Sequence, residues 1–283
     1  MNLRTLALDT SWGSLTVVGG SRAGEGTLVL LPQLRLALDG GRPHRALAPM
    51  NTLLVSHGHM DHIGGLGYWA SQRYLNSMGP GAVMAPAEIA DDVRALLETL
   101  ARLEGGRPYD VGVTPVSAGD RRALRADIEL EFFATDHWVP TLGCSVIWRT
   151  HRLLAELADL SGEEIARRRR AGLQVTDERR VALLAYCADS GPGLFASCPG
   201  VLAAEVVLVE CSFFRPADRD RAVRYGHMHL DDLLAVTDRL ACRHLVLLHA
   251  SRRQRLREVE RFVAEQLEPQ LPCALHHLMV DWE

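Results

Sequence analysis

His57, His59, Asp61 and His62 fall within six consecutive positions, in the run His57-Gly-His59-Met-Asp61-His62-Ile-Gly-Gly65. Imidazole and carboxylate at this density suit Zn²⁺, Mn²⁺ or Fe²⁺. The run follows directly on Asn51-Thr-Leu-Leu-Val-Ser56, whose apolar character predicts a buried strand, so the four side chains sit on a loop at its exposed tip. Residues 57 and 59 alternate and can aim their rings at one ion, whereas Asp61 and His62 turn away and can serve a second. The competing reading, a polar loop with chance histidines, is disfavoured by so fixed a pattern after a buried strand.

Two ions need more ligands than one loop supplies, and the chain brings three more to strand ends. His137 follows the predicted strand Ile128–Thr135, Asp189 follows Val181–Ala188, and His249 closes His244–His249. Each alone is an ordinary hydrogen-bonded turn residue; the joint pattern makes them candidate ligands.

Short apolar runs mark the elements that must position these side chains. Strands are predicted at Thr27–Leu31, Leu34–Asp39, Asn51–Ser56, Ala82–Ala85, Ile128–Thr135, Cys144–Thr150, Val181–Ala188, Val206–Glu210 and His244–His249. Helical patterns cover Pro86–Leu103, a stretch opened by Ser161 with Glu164 as a capping box, Asp231–Ala241 and Arg252–Leu267. Strands with interspersed helices in both halves predict an α/β fold, two sheets face to face with helices outside and sites in the strand-end loops. No linker or repeat interrupts the chain, so residues 1–283 read as one domain. Gly19–Gly26 lacks the Gly-Lys-Ser/Thr ending of a phosphate loop and reads as a turn between strands. Arg167–Arg170, four adjacent residues on the helix after Ser161, point in four directions and read as a solvated face.

Composition narrows the function classes. With 47% hydrophobic and 23% charged residues the 283-residue chain is an ordinary globular protein. Its 31 basic and 35 acidic residues give a net charge of −4, which argues against an indiscriminate polyanion binder. The absence of lysine excludes Schiff-base and P-loop lysine chemistry. Six scattered cysteines read as free thiols, and no signal-peptide core or membrane span of ~20 apolar residues is visible, which predicts a cytoplasmic protein away from membranes.

The order His57-x-His59-x-Asp61-His62, His137, Asp189, His249 resembles the metallo-β-lactamase superfamily of binuclear metal hydrolases. The likeness runs from Asp39-Gly40-Gly41 through Arg253. Within the superfamily, Thr135-Asp-His137-Trp-Val-Pro-Thr-Leu-Gly143, Val209-Glu210-Cys-Ser-Phe213, Gly226-His227 and His249-Ala-Ser251-Arg are most similar to the ribonuclease Z group of phosphodiesterases. The resemblance implies an αβ/βα four-layer sandwich, two face-to-face mixed β-sheets flanked by helices. It implies one ion on His57, His59 and His137, another on Asp61, His62 and His249, and Asp189 between them, with zinc as the metal and manganese or iron as alternatives.

By the same resemblance, His227 contacts the scissile phosphate and Glu210 orients it. An imidazolium there can stabilise phosphoryl charge and protonate the leaving oxygen. Asp61 would orient a hydroxide bridging the two ions and take its proton. The implied activity is tRNA 3′ processing on RNA by a homodimer. Hydrolysis of a cyclic nucleotide, another small phosphodiester, a thioester or a lactone is the enzymatic alternative, and a non-catalytic metal-binding interaction module is the alternative outside enzymes. The 52-residue interval from His137 to Asp189 predicts two strands without the long tRNA-gripping arm of many ribonuclease Z proteins. His229 reads equally as a helix cap or a substrate contact.

Overall fold

The computed structural model describes residues 3–282. Fourteen strands form two seven-stranded sheets in which sequence neighbours pair. The first sheet contains β1 (Arg4–Thr10), β2 (Gly13–Arg22), β3 (Gly26–Leu31), β4 (Leu36–Gly40), β5 (Thr52–Leu54), β6 (Gly81–Pro86) and β7 (Val111–Val116). It is antiparallel up to β4 and parallel from there. The second contains β8 (Arg121–Arg125), β9 (Ile128–Ala134), β10 (Leu142–Leu153), β11 (Thr176–Tyr186), β12 (Val206–Glu210), β13 (His244–Leu248) and β14 (Ala274–His277). It repeats the plan, switching from antiparallel to parallel at β11. In open α/β sheets such switch points are where strand-end loops can diverge to make a site.

Parallel neighbours need crossovers, and these carry the helices. Between strands of the first sheet run α1 (Met60–Ile63), α2 (Leu66–Leu75) and α3 (Ala90–Leu103). In the second half α4 (Gly162–Arg170) lies between β10 and β11, followed by α5 (Leu194–Ser197), α6 (Arg219–Tyr225), α7 (Leu230–Leu234) and α8 (Leu256–Phe262). The parallel strands are apolar on both faces because both are covered. Leu38 and Leu54 of the first sheet meet Phe132, Tyr186 and Leu208 of the second in one core. On the outer faces Leu53 and Val83 pack with Trp69 and Val93, and Val207 and Leu247 pack with Leu233 and Val259. Helix, sheet, sheet, helix is the expected four-layer sandwich.

The nine expected strands are present, Val206–Glu210 with the same bounds and the others with shifted ends, and five others went unpredicted. Four of these, β1, β7, β8 and β14, are the sheet edges. Edge strands face water on one side and carry residues that discourage further pairing, such as Pro115 in β7 and three arginines in β8. The fifth, β2, absorbs Gly19–Arg22, so the expected turn there is confined to residues 23–25. Three helices are shorter than predicted. The first starts at Ala90; Asp231–Ala241 divides into α7 and a 3₁₀ turn at Thr237–Arg239; Arg252–Leu267 becomes α8 and a π-helical turn from Val263.

Ser161 caps α4 by accepting from the Glu164 amide, while the Glu164 carboxylate engages Arg167 and Arg168. The interval between His137 and Asp189 holds the two expected strands and the helix after Ser161: β10 and β11 are longer than predicted, pairing out to Leu153 and Thr176, and α4, with no buried residue, forms a short helical tip. Among the described residues no helix is long and apolar enough to cross a membrane.

Gly41, just past β4, has no room for a side chain: a Cβ there would overlap the Asp61 carbonyl and crowd the Thr27 amide. Gly41→Ala therefore pushes on the loop carrying Asp61 and is expected to lower stability by about 1–3 kcal/mol in urea denaturation. Gly162→Ala, where the space is open, stays within about 0.5 kcal/mol of the parent.

Candidate metal centre

The buried strand β5 runs through Val55 and Ser56 into the loop 57–59, and α1 then turns the chain so that His62 points back inside. His57 and His62 are fully buried, Asp61 is half-buried and His59 is exposed. His137 arrives from the loop after β9, Asp189 from the end of β11, and His249 from the end of β13. Ligand atoms of His57, His59, His137 and Asp189 lie within 4.8 Å of one another, as do those of Asp61, His62 and His249. The Asp189 carboxylate stands between the two groups, 3.8 Å from His57 Nε2 and 3.3 Å from both His62 Nε2 and His249 Nε2. All seven expected ligands are thus brought together.

Hydrogen bonds behind the rings decide which nitrogen faces the centre. The buried Asp39 accepts from the Ser56 amide at 2.7 Å, Ser56 Oγ at 2.6 Å, His62 Nδ1–H at 2.7 Å and Tyr186 O–H at 2.6 Å. With its proton committed to Asp39, Ser56 Oγ accepts from His57 Nδ1–H at 3.0 Å. The second sheet uses the same device. Glu210 accepts from Ser212 Oγ at 2.6 Å, and Ser212 Oγ accepts from His249 Nδ1–H at 3.0 Å. His137 Nδ1–H donates to the Gly226 carbonyl at 3.0 Å. In its neutral form each of these rings is therefore the tautomer whose unprotonated Nε2 is directed at the centre.

These nitrogens meet only one another, a candidate carboxylate or nothing. His57 Nε2 faces His59 Nδ1 at 3.0 Å, His62 Nε2 faces His249 Nε2 at 3.4 Å, and His137 Nε2 is buried without a partner. Nitrogen lone pairs and two carboxylates converging on one small space fit divalent cations.

Although burial disfavours its charge, Asp189 and Asp39 raise His62 well above the usual imidazole range, so a cation binding there displaces its Nε2 proton. Burial and the neighbouring His62 push His57 down to about 2, and burial with His137 lowers His59, so both rings are neutral. Burial would raise Asp61, yet its neighbours His249 and the charged His62 hold it below the usual carboxylate range. Asp189, likewise opposed by burial, is held well below that range by His249 and His62. Of the five non-glycine residues with left-handed backbone among the described residues, three, Asp39 (φ 62°), Ala188 (φ 49°) and His249 (φ 63°), belong to or adjoin this site. Such conformations are kept where the surroundings over-determine them.

His227 lies beside the ligands, its ring centroid 5.2 Å from that of His137 and 5.3 Å from that of His249. Its Nδ1–H donates to Glu210 at 2.7 Å; although burial disfavours charge, this carboxylate pushes the imidazolium up to about 9. His229 caps α7 in a capping box with Asp232 and binds the Arg215 carbonyl through Nε2, so its role is structural. A cavity of about 470 Å³ opens over the centre, walled by Trp138, Phe213, Arg221, Tyr225, Arg252 and Arg253. Asp39, Ser56, Ser212 and Tyr186 escaped the sequence reading of the site. Only Asp39, at a strand end before Gly40-Gly41, carried a signal there.

Asp39→Asn keeps the shape but replaces one acceptor oxygen by a donor among four donors, freeing His57 and His62 to change tautomer. Zinc affinity, measured by competition with a chromophoric chelator, is expected to fall about 10–100-fold, the range for such supporting partners. Tyr186→Phe, which removes a donor, changes it less.

Residues 4–250 match the model of the beta-lactamase superfamily domain. The tRNase Z TRZ1 of Arabidopsis thaliana is 29% identical over 248 residues, 86% of this chain and 88% of that protein. A nuclear ribonuclease Z of Triticum aestivum is 32% identical over 162 residues, 57% of this chain and 91% of that protein. In fold the chain is similar to the short form of human tRNase Z, with a TM-score of 0.55 at 16% identity, covering 100% of this chain and 99% of that one. The metallo-β-lactamase fold protein YhfI of Bacillus subtilis has a TM-score of 0.59 at 14% identity, over 95% of this chain and 91% of that one. With that model spanning every one of the seven clustered ligands and reaching one residue past His249, the chain belongs to the metallo-β-lactamase superfamily.

Proposed function

We propose that this chain is a metal-dependent phosphodiesterase of the ribonuclease Z kind, an endoribonuclease that processes tRNA 3′ ends. The observation that carries the reading is His227, its Nδ1 held by Glu210 at 2.7 Å and its ring set beside the candidate ligands, where the carboxylate favours the imidazolium. A site that only stored metal would gain nothing from an imidazolium held there. Two divalent ions, zinc foremost, would be held by His57, His59 and His137 and by Asp61, His62 and His249, with Asp189 shared. When bound, such ions polarise phosphoryl oxygens and lower the pKa of water.

The chain's own residues supply the rest. Asp61 Oδ2, held by the Gly24 amide at 2.6 Å, orients the attacking water and takes its proton. His227 Nε2 donates to the phosphoryl group and then protonates the leaving oxygen, while Glu210 keeps the ring oriented and charged. Arg221, Arg252 and Arg253 draw a phosphodiester into the cavity. The core shared by both sheets supports one hydrolase domain over residues 1–283. Six unpaired cysteines support a cytoplasmic setting. A homodimer follows from the family resemblance, and sedimentation of the metal-loaded protein tests it.

Precursor tRNA, bis-p-nitrophenyl phosphate, cyclic nucleotides and a thioester offered in parallel test the substrate class. Cleavage of precursor tRNA at its 3′ end is expected; activity confined to the thioester overturns the reading. His227→Ala is expected to retain bound metal and lose about 10²–10⁴-fold in turnover. Unchanged cleavage, or loss of metal with the histidine, removes the proposed role, the second because Asp189, His227 and His249 are also close enough to share an ion. His59→Ala is expected to lower the metal content itself, read by elemental analysis.

A further inference from the structure

A second cavity, of about 630 Å³, adjoins the first: Arg252 and Arg253 line both. Its other walls include Arg22, Gln254, Arg255 and Arg257, opposed by Glu260 and Asp281. The carboxylates are already engaged, Asp281 with Arg22 at 3.4 Å and Glu260 with Arg4 at 3.3 Å and His277 at 3.5 Å. Arg252, Arg253, Arg255 and Arg257 are exposed, and among the described residues none of them has an ion-pair partner within 4.0 Å. Elsewhere on the surface arginines such as Arg121, Arg149, Arg180 and Arg215 pair with glutamates.

The floor of this cavity holds polar atoms that the protein leaves without partners. Gln254 is 1% exposed, yet neither Nε2 nor Oε1 is hydrogen-bonded. The Arg22 side chain is 4% exposed; its Nη2 donates to the Gln254 carbonyl, but Nη1 has no acceptor. Buried groups of this kind are rare in native proteins and call for an explanation, such as a ligand that completes them. The missing set is two donors, one of them cationic, and one acceptor, under a rim of four uncommitted guanidinium groups. A phosphate oxygen satisfies Arg22 Nη1–H and Gln254 Nε2–H, and a ribose 2′-hydroxyl satisfies Gln254 Oε1.

We infer that the Arg22–Gln254 cavity is a second subsite, taking a ribose-phosphate unit of an RNA backbone next to the scissile bond. It rests on the reading of this chain as an RNA phosphodiesterase. The segment from His249 to Arg257 then does two things: its first residue serves the centre, and its arginines carry the strand onward. A polyanion would be gripped along one track on a chain whose net charge is −4.

Fluorescence anisotropy of the metal-loaded protein with a labelled single-stranded RNA of about ten nucleotides, and DNA of the same sequence, tests the subsite. Arg255→Ala/Arg257→Ala, both exposed, is expected to weaken RNA binding at least tenfold. It should also reduce the slope of log Kd against log salt by about 1.4, at roughly 0.7 for each single-strand phosphate that an arginine no longer neutralises. Gln254→Leu is expected to narrow the preference for RNA over DNA. Unchanged affinity and slope in the double variant overturn the subsite. So does sodium phosphate binding that the double variant loses while RNA affinity stays as in the parent, which marks a free-phosphate site. Turnover keeps the two readings apart: if the parent protein hydrolyses neither precursor tRNA nor bis-p-nitrophenyl phosphate, the catalytic reading fails, whereas the salt slope reports on the subsite alone.

Discussion

Two carboxylates taken out of water, Asp39 and Glu210, govern the arrangement around them. A buried carboxylate stripped of its donors is destabilising by about 3–5 kcal/mol, so the fold must deliver those donors with good geometry. Asp39 collects them from the first sheet through Ser56 and His62 and from the second through Tyr186, which ties the two sheets together at the site. Glu210 collects Ser212, His227 and the Ser190 amide. Each acid reaches one ligand histidine through a serine and a second histidine directly. Ring orientation, tautomer and charge at the centre follow from these contacts, and the strained backbone of Asp39 and His249 is held by them.

The same logic explains which parts of the molecule were legible in the sequence. Central strands such as Val206–Glu210 and His244–Leu248 are buried on both faces and write themselves as unbroken apolar runs. The edges do not: Arg121–Arg125 alternates exposed and half-buried residues, and Val111–Val116 carries a proline. The candidate ligands were visible because metal chemistry restricts residue type at strand ends. Their supports were not, since Ser56, Ser212 and Tyr186 are ordinary residues whose role depends on which strand lies opposite. His229 shows the reverse hazard, a histidine close in sequence to His227 that serves only to cap a helix. Helix lengths were overestimated where a 3₁₀ or π turn lets a helical pattern outlast the α-helix.

Net charge is a poor guide to this surface. The total of −4 is spread over a chain in which many arginines are neutralised by nearby acids, as along β8 to β11. Uncommitted positive charge gathers instead between His249 and Arg257, beside the cavity that opens over the centre. An acidic protein can therefore present a locally basic track, whose hold on a polyanion weakens as salt rises.

The central claim is that imidazole Nε2 atoms, fixed by Asp39 and Glu210, hold divalent ions where the carboxylates of Asp61 and Asp189 meet them. Anomalous scattering at the zinc edge from crystals of the zinc-loaded protein tests it most directly. The account predicts two peaks, one among His57, His59 and His137 and one among Asp61, His62 and His249, with Asp189 between them. Zinc found only elsewhere on the chain, or no peak among these seven residues, contradicts it.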